Sequence, residues 1–173
     1  MSPYEFINQI SIDTPSTLIV LVGPPCSGKS QIARLMNQEY GFIHYKAGEE
    51  YKKRNDEYMY NHPDIKYYDS SVKDALYSDI NSDIARLLDQ GNTVVYDACN
   101  AYPKWRSKLL REIGDSAEYK VCLVTTSPLS ACLEKNLTLG EDALAEDTIV
   151  RMYQSIQRHA PSITDGFDAM FVV

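Results

Sequence analysis

The segment Gly23-Pro24-Pro25-Cys26-Ser27-Gly28-Lys29-Ser30 directly follows the apolar run Thr17-Leu18-Ile19-Val20-Leu21-Val22, and that order leaves few folds open. A glycine-rich loop ending in Gly-Lys-Ser, set between a buried strand and a helix, is a phosphate-binding loop. Its glycines let successive backbone N–H groups turn inward around an anion, and the dipole of the following helix favours the same charge. Gly23, Pro24, Cys26, Ser27 and Gly28 form the expected cradle, Lys29 brings a mobile positive charge, and Ser30 and Gln31 open the helix. The Ser30 hydroxyl is positioned for a Mg²⁺ ion bridging the β- and γ-phosphates of ATP. From Gln31 to Met36 the helix continues, with Ile32, Leu35 and Met36 on its buried face. The bare pattern arises by chance in roughly one chain in a few hundred of this length, before its flanks are considered.

The rest of the chain repeats the alternation of strand and helix. Gly41-Phe42-Ile43-His44-Tyr45 supplies a turn and a short strand, and Val72, Leu76, Ile80, Ile84, Leu87 and Leu88 recur at helical spacing between about 70 and 90. Gly91-Asn92 ends that helix before the strand Thr93 to Asp97. Pro103 opens a helix to about Ile113, Tyr119 to Val124 is a strand, Leu129 to Lys135 and Glu146 to His159 are helices, and Phe167 to Val173 closes the sheet. Residues 48–68 are rich in charge and tyrosine, with Asn61-His62-Pro63-Asp64 breaking any long helix, and substrate-facing structure is expected there. The pattern predicts an α/β domain over 17–173, a five-stranded, mostly parallel sheet with helices on both faces, after a polar N-terminal extension at 1–16. At 173 residues there is room for one such domain.

Composition narrows the partners. A net charge of −7 and a pI near 4.9 argue against a protein that coats nucleic acid nonspecifically, since that requires many cations against phosphate. Two local basic patches remain, Lys52-Lys53-Arg54 and the set Lys104, Arg106, Lys108 and Arg111, each either a solvated helix face or a substrate-facing surface. Tyr51, Tyr58, Tyr60, Tyr67 and Tyr68 cluster in the proposed acceptor region, where rings stack on bases or pack at a rim. The cysteines Cys26, Cys99, Cys122 and Cys132 lack CxxC spacing and read as reduced thiols. With no basic leader and no apolar stretch of spanning length, a soluble cytoplasmic protein with no membrane partner is expected. His44, His62 and His159 are too scattered in sequence to suggest a metal site.

Asp97 ends an apolar strand and so projects from the carboxyl edge of the sheet, where ligands sit in open α/β folds and where the phosphate loop also opens. It is a candidate to order the water shell of Mg²⁺. From here the chain resembles the kinase domain of bacteriophage polynucleotide kinases, across most of its length after residue 17. The phosphate loop is similar, and Val95-Tyr96-Asp97-Ala98-Cys99-Asn100 followed by Pro103 and Arg106 looks like that family's strand-Asp-x-x-Asn segment with a downstream arginine. Asp56-Glu57-Tyr58-Met59-Tyr60 also matches, and Pro128 through Lys135-Asn136, Gly140, and Asp147 to Met152-Tyr153 follow its lid pattern, placing a helical lid at about 134–147.

The resemblance implies a P-loop kinase-like fold and a Mg²⁺- and ATP-dependent phosphotransferase whose acceptor is a hydroxyl of a nucleic acid. That hydroxyl would be a 5′ end or a hydroxymethyl group on a modified base of DNA. It places Glu49 as general base, with Glu50 beside it as the alternative; the family usually has aspartates there. Lys52 falls where the family has an arginine on acceptor phosphate, and Arg106 is carried over as substrate-binding. Where the lid supplies an arginine to the transferring group, this sequence has Leu139, and Lys135 is the basic residue left in that stretch, among Glu134, Glu141 and Asp142. An arginine of this kind is worth about 10³- to 10⁵-fold in related enzymes. Three routes are open: Lys135 or Arg151 substitutes, Arg106 arrives instead, or turnover is weak or lost. The other function classes are a small-molecule or nucleotide kinase and a nucleotide-binding protein without turnover.

Overall fold

β1 (Thr17–Val22) is buried along all six residues, and a strand with no solvent on either face needs a partner at each edge and a covering layer above and below. In the computed structural model, which describes residues 16–65 and 69–173, both needs are met. β3 (Val94–Asp97) pairs with one edge of β1 and β4 (Tyr119–Val124) with the other. β2 (Ile43–Lys46) adds outside β3 and β5 (Ala169–Val172) outside β4, so the order is β2-β3-β1-β4-β5. Every pairing is parallel, so the sheet is parallel throughout rather than mostly so.

Alternation along β1 divides the core. Ile19 and Leu21 face a layer with Val95, Val121 and Leu123, closed by Ala33 and Met36 of α1 (Lys29–Tyr40). Leu18, Val20 and Val22 face the larger layer, with Ile80, Ile84 and Leu88 of α3 (Ser70–Asp89), Leu109 and Ile113 of α4 (Pro103–Ile113), and Ile156 of α6 (Glu146–Arg158). Each such side chain contributes about 1.5–3 kcal/mol by leaving water. The two layers hold the carboxyl ends of β1, β3 and β4 at one edge, from which the loops after each strand emerge.

The start and stop signals act where the sequence puts them. Gly41, at φ 70°, closes α1 with its N–H on Asn37 O at 3.0 Å. Asp69 caps α3, its carboxylate accepting from Ser71 N at 2.9 Å, and Pro103 begins α4. Between 48 and 61 the structure differs in degree from the expectation: α2 (Ala47–Asn61) is one helix of 15 residues running up to the Asn61-His62-Pro63-Asp64 break. Ala47 is its sole buried residue, so no apolar periodicity announced it. α5 (Leu129–Leu137) precedes α6, and the segment expected as the lid joins them through a short 3₁₀ turn at Gly140–Asp142. The extension expected at 1–16, apart from Ser16, and Tyr67 and Tyr68 lie outside the described residues. Among the described residues no helix is long and apolar enough to cross a membrane.

Candidate nucleotide and acceptor site

The phosphate loop leaves β1 and is pinned before it turns. Gly23 N donates to Cys99 O at 3.1 Å, and Ser27 Oγ lies 2.6 Å from Thr125 Oγ1 at the end of β4. Ser127 Oγ donates to Ser27 O at 3.0 Å. A Cβ at Gly23 would sit 2.0 Å from Thr125 Oγ1 and 2.6 Å from Ser27 Oγ, so this close approach admits glycine alone. The turn passes through left-handed backbone at Cys26 (φ 64°) and Gly28 (φ 94°). Gln31 N and Ile32 N donate to Gly28 O at 3.0 and 3.1 Å, which puts the amides of Gly28, Lys29 and Ser30 ahead of the helical ladder and open to an anion.

Lys29 is buried, with Nζ 2.6 Å from Pro24 O and 3.3 Å from Ser27 Oγ. Its ammonium thus lies back over the loop, on weak acceptors that an incoming phosphate oxygen would replace. Ser30 and Gln31 are exposed at the first turn of α1. Amide donors, an ammonium and a hydroxyl are the groups that a nucleotide polyphosphate requires. Cys99 lies near this ammonium; burial pushes its thiol up, against the lowering effect of Lys29. Burial likewise raises the Cys132 thiol and takes Cys122 to about 12.

Asp97 ends β3 on the neighbouring edge. Its carboxylate Oδ2 is 2.8 Å from His44 Nε2, both side chains being 8% exposed. With Nε2–H donating, one carboxylate oxygen is fixed, and Oδ1 carries no protein hydrogen bond among the described residues. Ser30 Oγ and Asp97 Oδ1 are hard oxygen donors of the kind Mg²⁺ takes, so the residues present fit a Mg²⁺-bound nucleotide. Sequence reasoning missed His44. The signal was its place on a strand whose end pairs, Lys46 against Asp97, with the strand carrying the aspartate.

That pairing also places the two glutamates. Lys46 Nζ reaches Glu49 Oε1 at 3.1 Å, which keeps Glu49, exposed in the first turn of α2, beside the end of the strand that faces Asp97. Glu50 turns toward Arg54, 3.6 Å away, and Arg54 in turn meets Asp83 of α3, which also pairs with Arg86. Tyr45 donates to Asp83 at 3.4 Å, and burial together with that carboxylate pushes its hydroxyl up to about 12. Lys52 is exposed on α2 without an ion pair among the described residues. The tyrosines here divide: Tyr51 stacks on Tyr77 at 4.9 Å, Tyr58 stacks on His62 at 4.2 Å, and Tyr60 is 86% exposed.

Arg106 requires a correction. It is 1% exposed, and its guanidinium donates to Asp165 Oδ2 (3.1 Å), Asn100 O (3.1 Å) and His159 O (3.0 Å). A group so enclosed is a tie between the loop after β3 and the end of α6, not a contact for a substrate phosphate. The same geometry removes it as a stand-in for the lid arginine. Asn100, at φ 47°, completes this tie by donating to Leu21 O at 2.7 Å.

In the segment expected as the lid, Lys135, Leu139, Glu141 and Asp142 are all exposed. Asn136 instead is buried and holds the segment closed, donating to Leu144 O at 2.8 Å and accepting from Leu144 N at 2.9 Å. Arg151 is exposed and paired with Asp147 at 3.2 Å. Lys135 and Arg151 are thus open to solvent, whereas Arg106 is not.

Against known proteins, residues 16–159 match the model of the family described as chromatin associated protein KTI12. No curated protein matches the chain by sequence. Among solved structures, a chain of the Pnkp1/Rnl/Hen1 RNA repair complex superposes at a TM-score of 0.66 with 17% identity, over 93% of this chain and 49% of that one. A protein of Chloroflexus aurantiacus j-10-fl described provisionally as a kinase gives 0.65 with 10% identity, over 93% and 86%. A gluconokinase from Sinorhizobium meliloti 1021 gives 0.58 with 15% identity, over 92% and 83%. At these identities the likeness establishes the fold, an α/β P-loop kinase-like fold.

Proposed function

The chain belongs to the KTI12 family, whose model spans 16–159, and from that premise we propose that it is a Mg²⁺-ATP-dependent phosphotransferase acting on a hydroxyl of a nucleic acid. The observation that carries the reading is one shared edge: the phosphate loop with Lys29, the half-satisfied carboxylate of Asp97, and the acidic first turn of α2 all lie where β1, β3 and β2 end. The likeness to a chain of an RNA repair complex, and the resemblance to polynucleotide kinases in the loop, the Asp97 segment and the lid, support a polynucleotide acceptor. The hydroxyl is a 5′ end or a hydroxymethyl group on a modified base.

Bound Mg²⁺-ATP would supply the transferable phosphoryl group and much of the neutralisation of its charge. Lys29, released from Pro24 O, adds positive charge from the loop, and the amides of Cys26, Gly28, Lys29 and Ser30 orient the polyphosphate. Ser30 and Asp97 would hold the metal, with His44 keeping the Asp97 carboxylate in one orientation. Glu49 is the base: it is exposed, beside the end of β2, and paired among the described residues only with the exposed Lys46. Glu50 and Lys52 line the acceptor side. Lys135 is the lid cation that stands in for the arginine missing at Leu139.

A panel of acceptors with γ-labelled ATP tests this. Label is expected on a 5′-hydroxyl or hydroxymethylated oligonucleotide, with Glu49→Gln slowing transfer by about 10²- to 10⁴-fold and Glu50→Gln by much less. Label confined to a small metabolite, or nucleotide binding with no acceptor-stimulated turnover, would overturn the reading.

A further inference from the structure

In a chain of net charge −7, one groove gathers cations with no carboxylate in its lining. It runs between the start of α4 and the second half of α6, encloses about 540 Å³, and presents Tyr102, Lys104, Arg151, Arg158 and His159. Lys104 and Arg158 are exposed and make no ion pair among the described residues, so their charge is uncompensated. The walls are fixed to each other from below. Ser155 Oγ donates to Ala101 O at 2.8 Å, and Arg106 Nη2 donates to His159 O at 3.0 Å, so the groove needs no rearrangement to exist.

An aromatic path leads from this groove toward the acidic turn of α2. Tyr102 meets Trp105 edge to face at 4.6 Å. The Lys73 ammonium lies 5.6 Å from the centre of the Trp105 ring and 5.8 Å from that of Tyr51, which is stacked on Tyr77. Tyr51 directly follows Glu50. Rings and cations are therefore interleaved from Tyr51, in the turn of α2 that carries Glu49 and Glu50, through Lys73, Trp105 and Tyr102, to Lys104 and Arg158. Residues 98–102 carry the chain from Asp97, at the end of β3, to the start of α4, which forms one wall of the groove.

We propose that this path is the track for a single-stranded segment of a polynucleotide acceptor, with backbone phosphates on Lys73, Lys104 and Arg158 and bases against the rings of Tyr102 and Trp105. The proposal rests on the nucleic-acid reading of the site and adds where the strand runs. Interleaved rings and cations match an unpaired strand, whose bases have exposed faces and whose phosphates recur along its length. A duplex hides those faces, and a cleft of this size between two helices does not admit its body. An acidic peptide would use the cations and leave the rings idle.

Direct binding of labelled oligonucleotides, by fluorescence anisotropy without ATP, tests the track. Single-stranded DNA and RNA and a blunt duplex are compared over a salt series. Three phosphate contacts predict a log–log salt slope of about −2 for a single strand. Lys104→Gln and Arg158→Gln should each flatten that slope by about 0.7, and the double variant should bind about tenfold or more weakly at low salt, with its affinity for a fluorescent ADP analogue unchanged. Trp105, the sole tryptophan, should change its emission on binding. Binding of either DNA or RNA single strands in this manner supports the track. A double variant that binds like the parent protein, or tighter binding to the duplex, overturns it. The outcome separates from that of the kinase reading: strand binding without transfer contradicts only the kinase, and transfer whose KM for polynucleotide ignores Lys104→Gln and Arg158→Gln contradicts only the track.

Discussion

A guanidinium that is 1% exposed has given up its hydration, and it recovers that cost only through the oxygens around it. Arg106 has three such partners in three directions, Asp165, Asn100 O and His159 O, and among the described residues no other side chain reaches all of them. Arg106→Met would leave two carbonyls without their donor and the Asp165 carboxylate with Ser162 N alone, and cost about 3–5 kcal/mol. For a domain of this size that lowers the melting temperature by roughly 10 °C. Arg106→Lys should also destabilise, because an ammonium lacks the planar fork. Thermal melts decide the point: an unchanged melting temperature with impaired acceptor binding would return Arg106 to the substrate. In the sequence Arg106 looked like one of four cations on a helix; only burial distinguished it, and burial depended on where α6 ends.

At the scale of elements, α2 is held by polar links more than by a buried stripe. Arg54 on α2 meets Asp83 on α3, where Arg86 and Tyr45 converge as well. Burial would raise the Asp83 carboxyl, but the hydrogen bond and charge of Arg54, with Arg86, hold it below the usual carboxylate range. A carboxyl whose folded pKa is depressed stabilises the fold above its unfolded pKa, near 4, and loses that contribution as pH falls through the folded value. Arg54 and Asp83 are both about a quarter exposed, so solvent still screens their pairing and it is worth about 1 kcal/mol. Asp83→Asn should therefore be less stable than the parent protein by about that amount at neutral pH. The gap should close below about pH 4. Urea midpoints across pH measure it, and a gap that stays constant to low pH would refute the linkage. Glu112, lowered by Lys108, Asn81 and Ser78 against the effect of burial, remains in both proteins and does not enter the difference. Helix α2 itself escaped the sequence because a helix that buries only Ala47 writes no apolar period.

For the whole molecule, what the sequence made legible was whatever is local in the chain. The phosphate loop between strand and helix, the alternation that gives a parallel sheet, and Asp97 at a strand end each depend on neighbours a few residues away. What it hid depends on strand order. His44 lies beside Asp97 because β2 lies outside β3, and Thr125 pins Ser27 because β4 lies beside β1. The basic groove is likewise built from residues about fifty positions apart, Lys104 and Arg158, joined by the Arg106 tie. In the segment expected as the lid, Asn136 bridges to Leu144, a link that no local pattern announced, while Leu139 occupies the position that the resemblance assigns to an arginine. The central claim is that the edge carrying Lys29 and Asp97 transfers phosphate to a polynucleotide hydroxyl. Its most direct test is single-turnover transfer from γ-labelled ATP to a 5′-hydroxyl or hydroxymethylated oligonucleotide, with the parent protein and with Asp97→Asn. Acceptor-dependent label that falls by on the order of 10²-fold in Asp97→Asn is the predicted result. No label on any polynucleotide, or equal label in both proteins, would contradict it.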